Sequence, residues 1–359
     1  MPSAAPEPAL QPSPKPAWLA KARAVLSSPW LGLALTAGLV WVLLQMAPLA
    51  EWRAGLAEAD WRWLAVALAL VVPHAALKAW RLELLLPHLC DHRLHHLHIV
   101  FGMAAMSQLP TGTVGGDVYR IARLDACGVP PAEATAATFI LRIAGFAVTL
   151  ILAAVAGAAV LGAPWPLLAV AFGGALLFVL ARAERPPAWL AGIGLDARGE
   201  PLPGQSLWGR LRRGLGHLLR KTFAQAGSLE GRRLLAVLGA SLAMYVVRAL
   251  MLWLCLIALG LDAGVFAALG ALAAGNLASS VPSPAGSVGL REGGIVGVLA
   301  ALGSPAAPAT LAALFFRAVL AVGAGTGFAL TALLEAVTGQ SPDKGDAPAE
   351  GGADLAPAE

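Results

Sequence analysis

Apolar runs long enough to cross a lipid bilayer recur along this chain, at about 30–50, 62–86, 131–161, 165–182, 233–259 and 309–336. A helix needs about 20 apolar residues to cross the hydrocarbon core, and six such runs leave few folds open. Hydrophobic residues make up 58% of the chain and charged residues 13%, about half the charged share of an ordinary soluble domain. A soluble fold could not bury that much apolar surface. Three further apolar stretches, 97–110, 265–282 and 293–303, are short or broken by Gly and Pro. The expectation is an all-α polytopic membrane protein with about six full spans and two re-entrant or broken segments, eight membrane segments in all.

Charge distribution sets the orientation. The stretch from Arg182 to Arg233 carries ten Lys or Arg against four acids, which places it in the cytoplasm by the positive-inside rule. The Pro- and Ala-rich arm 1–29, with Lys15, Lys21 and Arg23, is expected there too, and so is the acidic tail 340–359. Both sides agree only if an even number of spans separates the arm from the basic loop. Four spans do so, and 97–110 must then enter and leave by one face, with Arg120 and Arg123 cytoplasmic. The single membrane domain, 30–339, thus divides into halves at about 62–182 and 233–336, joined by the loop 183–232. Within that loop, residues 207–223 alternate apolar positions (Trp208, Leu211, Leu215, Leu218, Phe223) with Arg210, Arg213, Arg220 and Lys221. They read as a helix on the anionic inner leaflet, or as a plain solvated basic loop. The net charge of +4 carries no sign of a nucleic-acid partner.

The halves share an internal repeat. Pro110-Thr-Gly112-Thr-Val-Gly115 recurs as Pro284-Ala-Gly286-Ser-Val-Gly289, 174 residues on. Residues 126–142 match 301–317 at an offset of 175, pairing Gly128 with Gly303, Pro130 with Pro305 and Arg142 with Arg317. With the parity argument, the halves are inverted. Inverted halves with a Gly/Pro-broken segment at the same place form a recurrent transporter plan, its site near the midplane between the breaks. Glycines there allow close backbone approach, and the helix N-termini beyond them offer N–H groups to an anion. Ordinary loops between ordinary helices are the plainer alternative.

The same stretches carry a family resemblance. Gln108-Leu-Pro-Thr-Gly-Thr-Val-Gly-Gly-Asp-Val-Tyr-Arg120 and Val281-Pro-Ser-Pro-Ala-Gly-Ser-Val-Gly-Leu-Arg-Glu-Gly293 resemble the two signatures of the lysylphosphatidylglycerol synthase transmembrane-region family, also called flippase-like or UPF0104, over about residues 60–336. The resemblance implies Gly115, Gly116, Asp117, Arg120, Gly286, Gly289, Arg291 and Glu292 as functional positions. Where many members carry an acid just before the arginine matching Arg142, this chain has Leu141.

Charge inside the spans points to the ligand. Arg142, Arg248 and Arg317 each stand about 10 Å or more from a helix end. An arginine at that depth is unfavourable unless it faces a cavity or a partner. The guanidinium fork suits two oxygens of one phosphate, though bonding to helix carbonyls is the structural alternative. Only Asp117 and Glu292 oppose the cations of the motif regions, so positive charge is in excess. Arg142 and Arg317, paired by the repeat, are expected to hold one lipid phosphate, with Arg120, Arg248 and Arg291 beside them.

Five of the seven histidines fall between His88 and His98 at the expected cytoplasmic interface, where rings contact headgroups; a metal is the weaker alternative. His74 is expected as a hydrogen-bonded packing residue. Cys90, Cys127 and Cys255 form no paired motif. No Walker loop, nucleophile elbow or zinc helix occurs, so no catalytic residue, metal or cofactor is assigned. The residues together lead to the expectation of a non-enzymatic protein of the cytoplasmic membrane that binds or moves an anionic lipid or lipid-linked precursor. The alternatives are a membrane enzyme on a lipid-linked substrate and an accessory subunit of a lipid or glycan synthase.

This topology is testable. Reporter fusions at residues 125 and 205 should report cytoplasm, and one at 163 the outside. An external signal at 125 would make 97–110 a full span and remove the inverted geometry.

Overall fold

The computed structural model describes residues 53–54, 57–86, 93–108, 112–161, 173–174, 231–280 and 289–339. The expected span 30–50, all of 165–182 but residues 173–174, the basic loop up to residue 230 with 207–223, both terminal segments, His88, Cys90, His92, Pro110, Pro284 and Gly286 lie outside these residues.

Eight helices are described, and no strand is found among the described residues. The first half holds α1 (Trp61–Leu85), α2 (Arg93–Met106), α3 (Gly112–Ala126) and α4 (Pro131–Leu161). The second holds α5 (Gly231–Ala258), α6 (Gly264–Ala278), α7 (Leu290–Ala301) and α8 (Ala306–Thr338). Helices α1, α4, α5 and α8 are long and apolar enough to cross a membrane. Helix α2, with 14 residues, and α6, with 15, would each extend only about 21–23 Å at 1.5 Å per residue, less than the ~30 Å hydrocarbon core.

Local chemistry explains the boundaries. Asp60 caps α1, its side chain accepting from the Arg62 N–H at 3.0 Å. Helix α1 steps at Leu70, three residues before Pro73, which has no N–H to give the preceding turn. The repeat is visible in the backbone. Gly128 and Gly303 take φ of +83° and +85°, a conformation open to glycine, and end α3 and α7 in the same way. In each, the residue after the glycine donates back five residues, Val129 to Leu124 and Ser304 to Leu299, at 3.0 and 2.9 Å.

The equivalent helices α1 and α5 run antiparallel. The N–H of Asp60, ahead of α1, donates to the carbonyl of Ala258 at the end of α5, 2.9 Å away. Near the opposite ends, Arg81 Nη1 donates to Ser241 Oγ at 3.0 Å. The halves also embrace reciprocally, α2 packing on α8 and α6 on α4.

Small residues make these approaches possible, as expected where apolar helices meet in lipid. A Cβ on Gly275 would stand 2.8 Å from the Arg291 carbonyl oxygen, and one on Gly294 2.9 Å from that of Ala274, so α6 and α7 touch nearly backbone to backbone. A Cβ on Gly116 would lie 2.7 Å from the Met103 carbonyl oxygen, closing α3 onto α2. Large apolar side chains are left outside, Leu235 at 70% exposure and Val337 at 76%, on surfaces suited to lipid tails.

The histidines of α2 overturn their expected role. His95, His96 and His98 are buried, because α2 is enclosed by α1, α3 and α8. His95 Nδ1 lies 2.7 Å from Glu335, and His96 Nδ1 lies 2.6 Å from Glu83. Thr331 donates its proton to the Gly327 carbonyl at 2.8 Å, so it accepts from His98 Nδ1 at 3.1 Å. His98 Nε2 is then the acceptor for the Tyr119 hydroxyl, also 3.1 Å away. Arg123 Nη2 reaches Glu335 at 3.4 Å. His95 and His98 therefore join α2 and α3 to α8, and His96 ties α2 to α1, rather than meeting headgroups.

The α2–α8 seam offers a packing test. A Cβ on Gly327 would run into the Phe101 ring. Gly327→Val should therefore destabilise the protein by about 1–3 kcal/mol, the usual penalty for overpacking, read as a lower melting temperature in detergent. An unchanged melting temperature would mean the seam yields.

Candidate functional site

The two acids of the motifs each grip an arginine of the next helix. In the second half, Gly289 takes φ of +84° just before α7, and its N–H donates to Glu292 Oε2 at 2.7 Å. That bond turns the carboxylate so that Oε1 accepts from Arg317 Nη1 at 2.6 Å. In the first half, Asp117 on α3 accepts from Arg120 Nη2 at 2.9 Å through Oδ1, and its Oδ2 pairs with Arg142. Both pairs span 25 residues (142 − 117 and 317 − 292), and both arginines are the twelfth residue of their helix.

The symmetry is broken in exposure. The Glu292 and Arg317 side chains are sealed at 6% and 3%, whereas Asp117 and Arg142 stand open at 20% and 45%. Leu141, where an acid was expected from the family pattern, is buried in an apolar cluster with Leu124, Ile140 and Ala144. Asp117 supplies the carboxylate for Arg142 instead.

Two expectations are corrected by these pairs. Arg142 and Arg317 are not free forks waiting for one shared phosphate; each is held by the acid of its own half. The N–H of Gly289, at the start of α7, is not offered to an outside anion either, because Glu292 occupies it. His74 also departs from its expected role, since its buried Nε2 has no hydrogen-bond partner.

Around these pairs gather cations with no acid of their own. On α1, His74, Lys78 and Arg81 share one helix face at i, i+4 and i+7, and on α5 Ser241, Tyr245 and Arg248 do the same. The faces meet at the Arg81–Ser241 bond. Lys78 feels the charges of Arg81, Arg120, Arg248 and Arg291, and Arg291 those of Arg248, Arg317 and Glu292. The Arg248 guanidinium lies 5.9 Å from the Phe316 ring centre, next in sequence to Arg317. Seven cations, Lys78, Arg81, Arg120, Arg142, Arg248, Arg291 and Arg317, thus face two acids, an excess of five (7 − 2) among the described residues. The Nε atoms of Arg81, Arg120, Arg248, Arg291 and Arg317 are buried without a hydrogen-bond partner. These seven side chains offer donors only, since neither guanidinium nor ammonium can accept. The site is built for an acceptor-rich anion.

All five arginines singled out from the sequence are brought together at this site. Of the backbone motif, Gly112 opens α3, Gly115 lies in its first turn, Gly116 packs on α2, and Gly289 precedes α7. Lys78, Arg81 and Tyr245 were missed. The repeat itself could have found Lys78. At an offset of 170, Lys78-Ala79 aligns with Arg248-Ala249, and Leu82, Leu84 and Leu86 align with Leu252, Leu254 and Leu256.

The sealed pair should matter most for the fold. Glu292→Gln leaves Arg317 buried without its counter-charge and weakens the cap of α7. It should cost about 3–5 kcal/mol, read as a large fall in melting temperature. Asp117→Asn, in the open pair, should cost much less. Equal losses would show that burial does not separate the two pairs.

Comparison with known proteins bears on the same segments. No curated protein and no solved structure gives a significant match. The model of one protein family, the lysylphosphatidylglycerol synthase TM region, matches residues 30–325, taking in the apolar run 30–50 as well as both motifs. Four long apolar helices and a match over most of the sequence identify a multi-pass membrane protein, and the chain belongs to the lysylphosphatidylglycerol synthase TM region family.

Proposed function

We propose that the protein binds the headgroup of an anionic lipid or lipid-linked precursor between its two halves. It carries that lipid across the cytoplasmic membrane without altering it chemically. The observation that carries this reading is the excess of five positive charges brought together by side chains of α1, α3, α4, α5, α7 and α8, inside a shell of lipid-facing apolar side chains. Charge left uncompensated at membrane depth is unfavourable by a few kcal/mol per residue. A bound phosphate relieves it through charge-assisted bonds.

The antiparallel run of α1 against α5 supports the inverted arrangement, in which the site is reached from either side by rocking one half against the other. In this reading both termini are cytoplasmic, and the basic stretch 207–223 rests on anionic lipids of the inner leaflet. A lipid or glycan synthase is the natural partner, supplying or consuming the transported lipid. The protein itself is then not an enzyme, and it needs neither metal nor cofactor.

The test is translocation by the purified protein in vesicles that carry, separately, labelled phosphatidylglycerol, cardiolipin or a prenyl diphosphate. At least one should cross faster than in protein-free vesicles. Arg248→Gln should weaken binding roughly tenfold to hundredfold, the equivalent of losing one charge-assisted contact. Arg248→Lys should restore it in part, because it keeps the charge and loses the fork. Movement of none of the three lipids would overturn the proposal, and so would unimpaired movement by Arg248→Gln.

A further inference from the structure

Resting on the anionic-headgroup reading above, we infer that the ligand carries two phosphate groups, one held by cations of each half. The assignment comes from which charges are already engaged. Asp117 takes Arg142 and Arg120, and Glu292 takes Arg317. Among the described residues, the cations left without an ion-paired acid are Lys78 and Arg81 on α1, from the first half, and Arg248 on α5 with Arg291 on α7, from the second. Each half therefore contributes two.

This division is not accidental, because Lys78 and Arg248 are repeat equivalents and α1 and α5 pack antiparallel on each other. An equivalent pair of donors, Lys78 and Arg248, each with one further cation beside it, Arg81 or Arg291, suits a ligand that itself has two similar anionic groups. A single phosphodiester carries one negative charge. It would leave four of the five excess cations uncompensated (5 − 1). Two phosphates carry two to three charges and present acceptors to both sets. The unpartnered Nε atoms of Arg81, Arg248 and Arg291 add donors on both sides of the α1–α5 contact. The shared chemistry is a pair of phosphates on a lipid, as in a prenyl diphosphate or a cardiolipin.

Binding to the full-length protein in detergent tests this directly. The probes are farnesyl diphosphate, farnesyl monophosphate, cardiolipin, phosphatidylglycerol and inorganic pyrophosphate, each titrated with its stoichiometry. A two-phosphate lipid should bind at least tenfold more tightly than its one-phosphate counterpart, one per protein. Whichever of farnesyl diphosphate and cardiolipin binds tighter names the source. Any basic patch prefers the higher charge, so the variants decide the geometry. Lys78→Gln and Arg248→Gln should each weaken binding of a two-phosphate lipid roughly tenfold to hundredfold and of its one-phosphate counterpart by less, so that the preference falls in both. Lys78→Arg, which keeps the charge, should retain the preference and serves as the folding control.

Equal affinity for one and two phosphates would overturn this inference and leave the anionic-lipid reading standing. Two monophosphates bound per protein would overturn the single-ligand form. Inorganic pyrophosphate binding as tightly as farnesyl diphosphate would remove the lipid from it. Failure of every probe to bind would overturn both readings.

Discussion

A membrane interior cannot solvate charge, and the architecture of this protein reflects that constraint throughout. Every arginine placed in a span must find a carboxylate, a hydroxyl, an aromatic face or a ligand. The chain meets this by carrying its acids on the short helices α3 and α7, next to the long helices that bear the arginines. Asp117 and Glu292 each stand 25 residues before their partner because the short helix, its glycine-ended turn and three helical turns of the next span form one unit. That unit is built twice. The ion pair thus fixes the distance between the motif and the next span, and the glycine caps at Gly128 and Gly303 make the turn that allows it.

The doubling has a packing counterpart. In lipid there is little hydrophobic gain from bringing two apolar helices together, so close van der Waals contact must hold them. Glycines at 116, 275, 294 and 327 bring helix axes near enough for that contact, and polar bonds then fix the register. Register matters most between α1 and α5, where Arg81 meets Ser241 and Asp60 meets Ala258. A slip of one residue along that contact would turn Lys78 or Arg248 off the shared face. The antiparallel pair is therefore the element on which the cation cluster depends.

Much of this is legible in the sequence, and the remainder is hidden for physical causes. The long helices come from their apolar length, and Gly128, Pro130, Gly303 and Pro305 announce two identical turns by their spacing alone. Arg120, Arg142, Arg248, Arg291 and Arg317 are recognisable because charge is rare in such segments. Lys78 and Arg81 escape because they sit in the last third of their span, where a basic side chain reads as snorkelling to the interface. The repeat does not expose Lys78 readily either, since its offset is 170 there but 174 in the motifs and 175 beyond them. The connections between equivalent helices differ in length, and a search at one offset loses the other. The histidines of α2 mislead for a related reason. Periodicity gives a helix its faces, but not the neighbours that cover them, and α8 arrives from more than 200 residues away.

The two polar clusters of the molecule show why one reads as a joint and the other as a site. At Glu335, a single carboxylate faces Arg123 and His95, while His98 is bridged by Tyr119 and Thr331. One negative and one positive charge offset each other, and the neutral ring of His98 has a partner for each nitrogen. Arg123 keeps Nε and Nη1 without a bond partner, but the charge of that network is balanced, and its effect is to join α2 and α3 to α8. The cluster at Lys78, Arg81, Arg248 and Arg291 lies in the same bundle but is built on the opposite principle. Its cations have no ion-paired acid among the described residues, and Lys78 feels four charges of its own sign. Folding alone gives no reason to gather like charges out of water, where their repulsion is least screened. Such a cluster is stable only with counter-charge, and a ligand is the form of counter-charge that can leave.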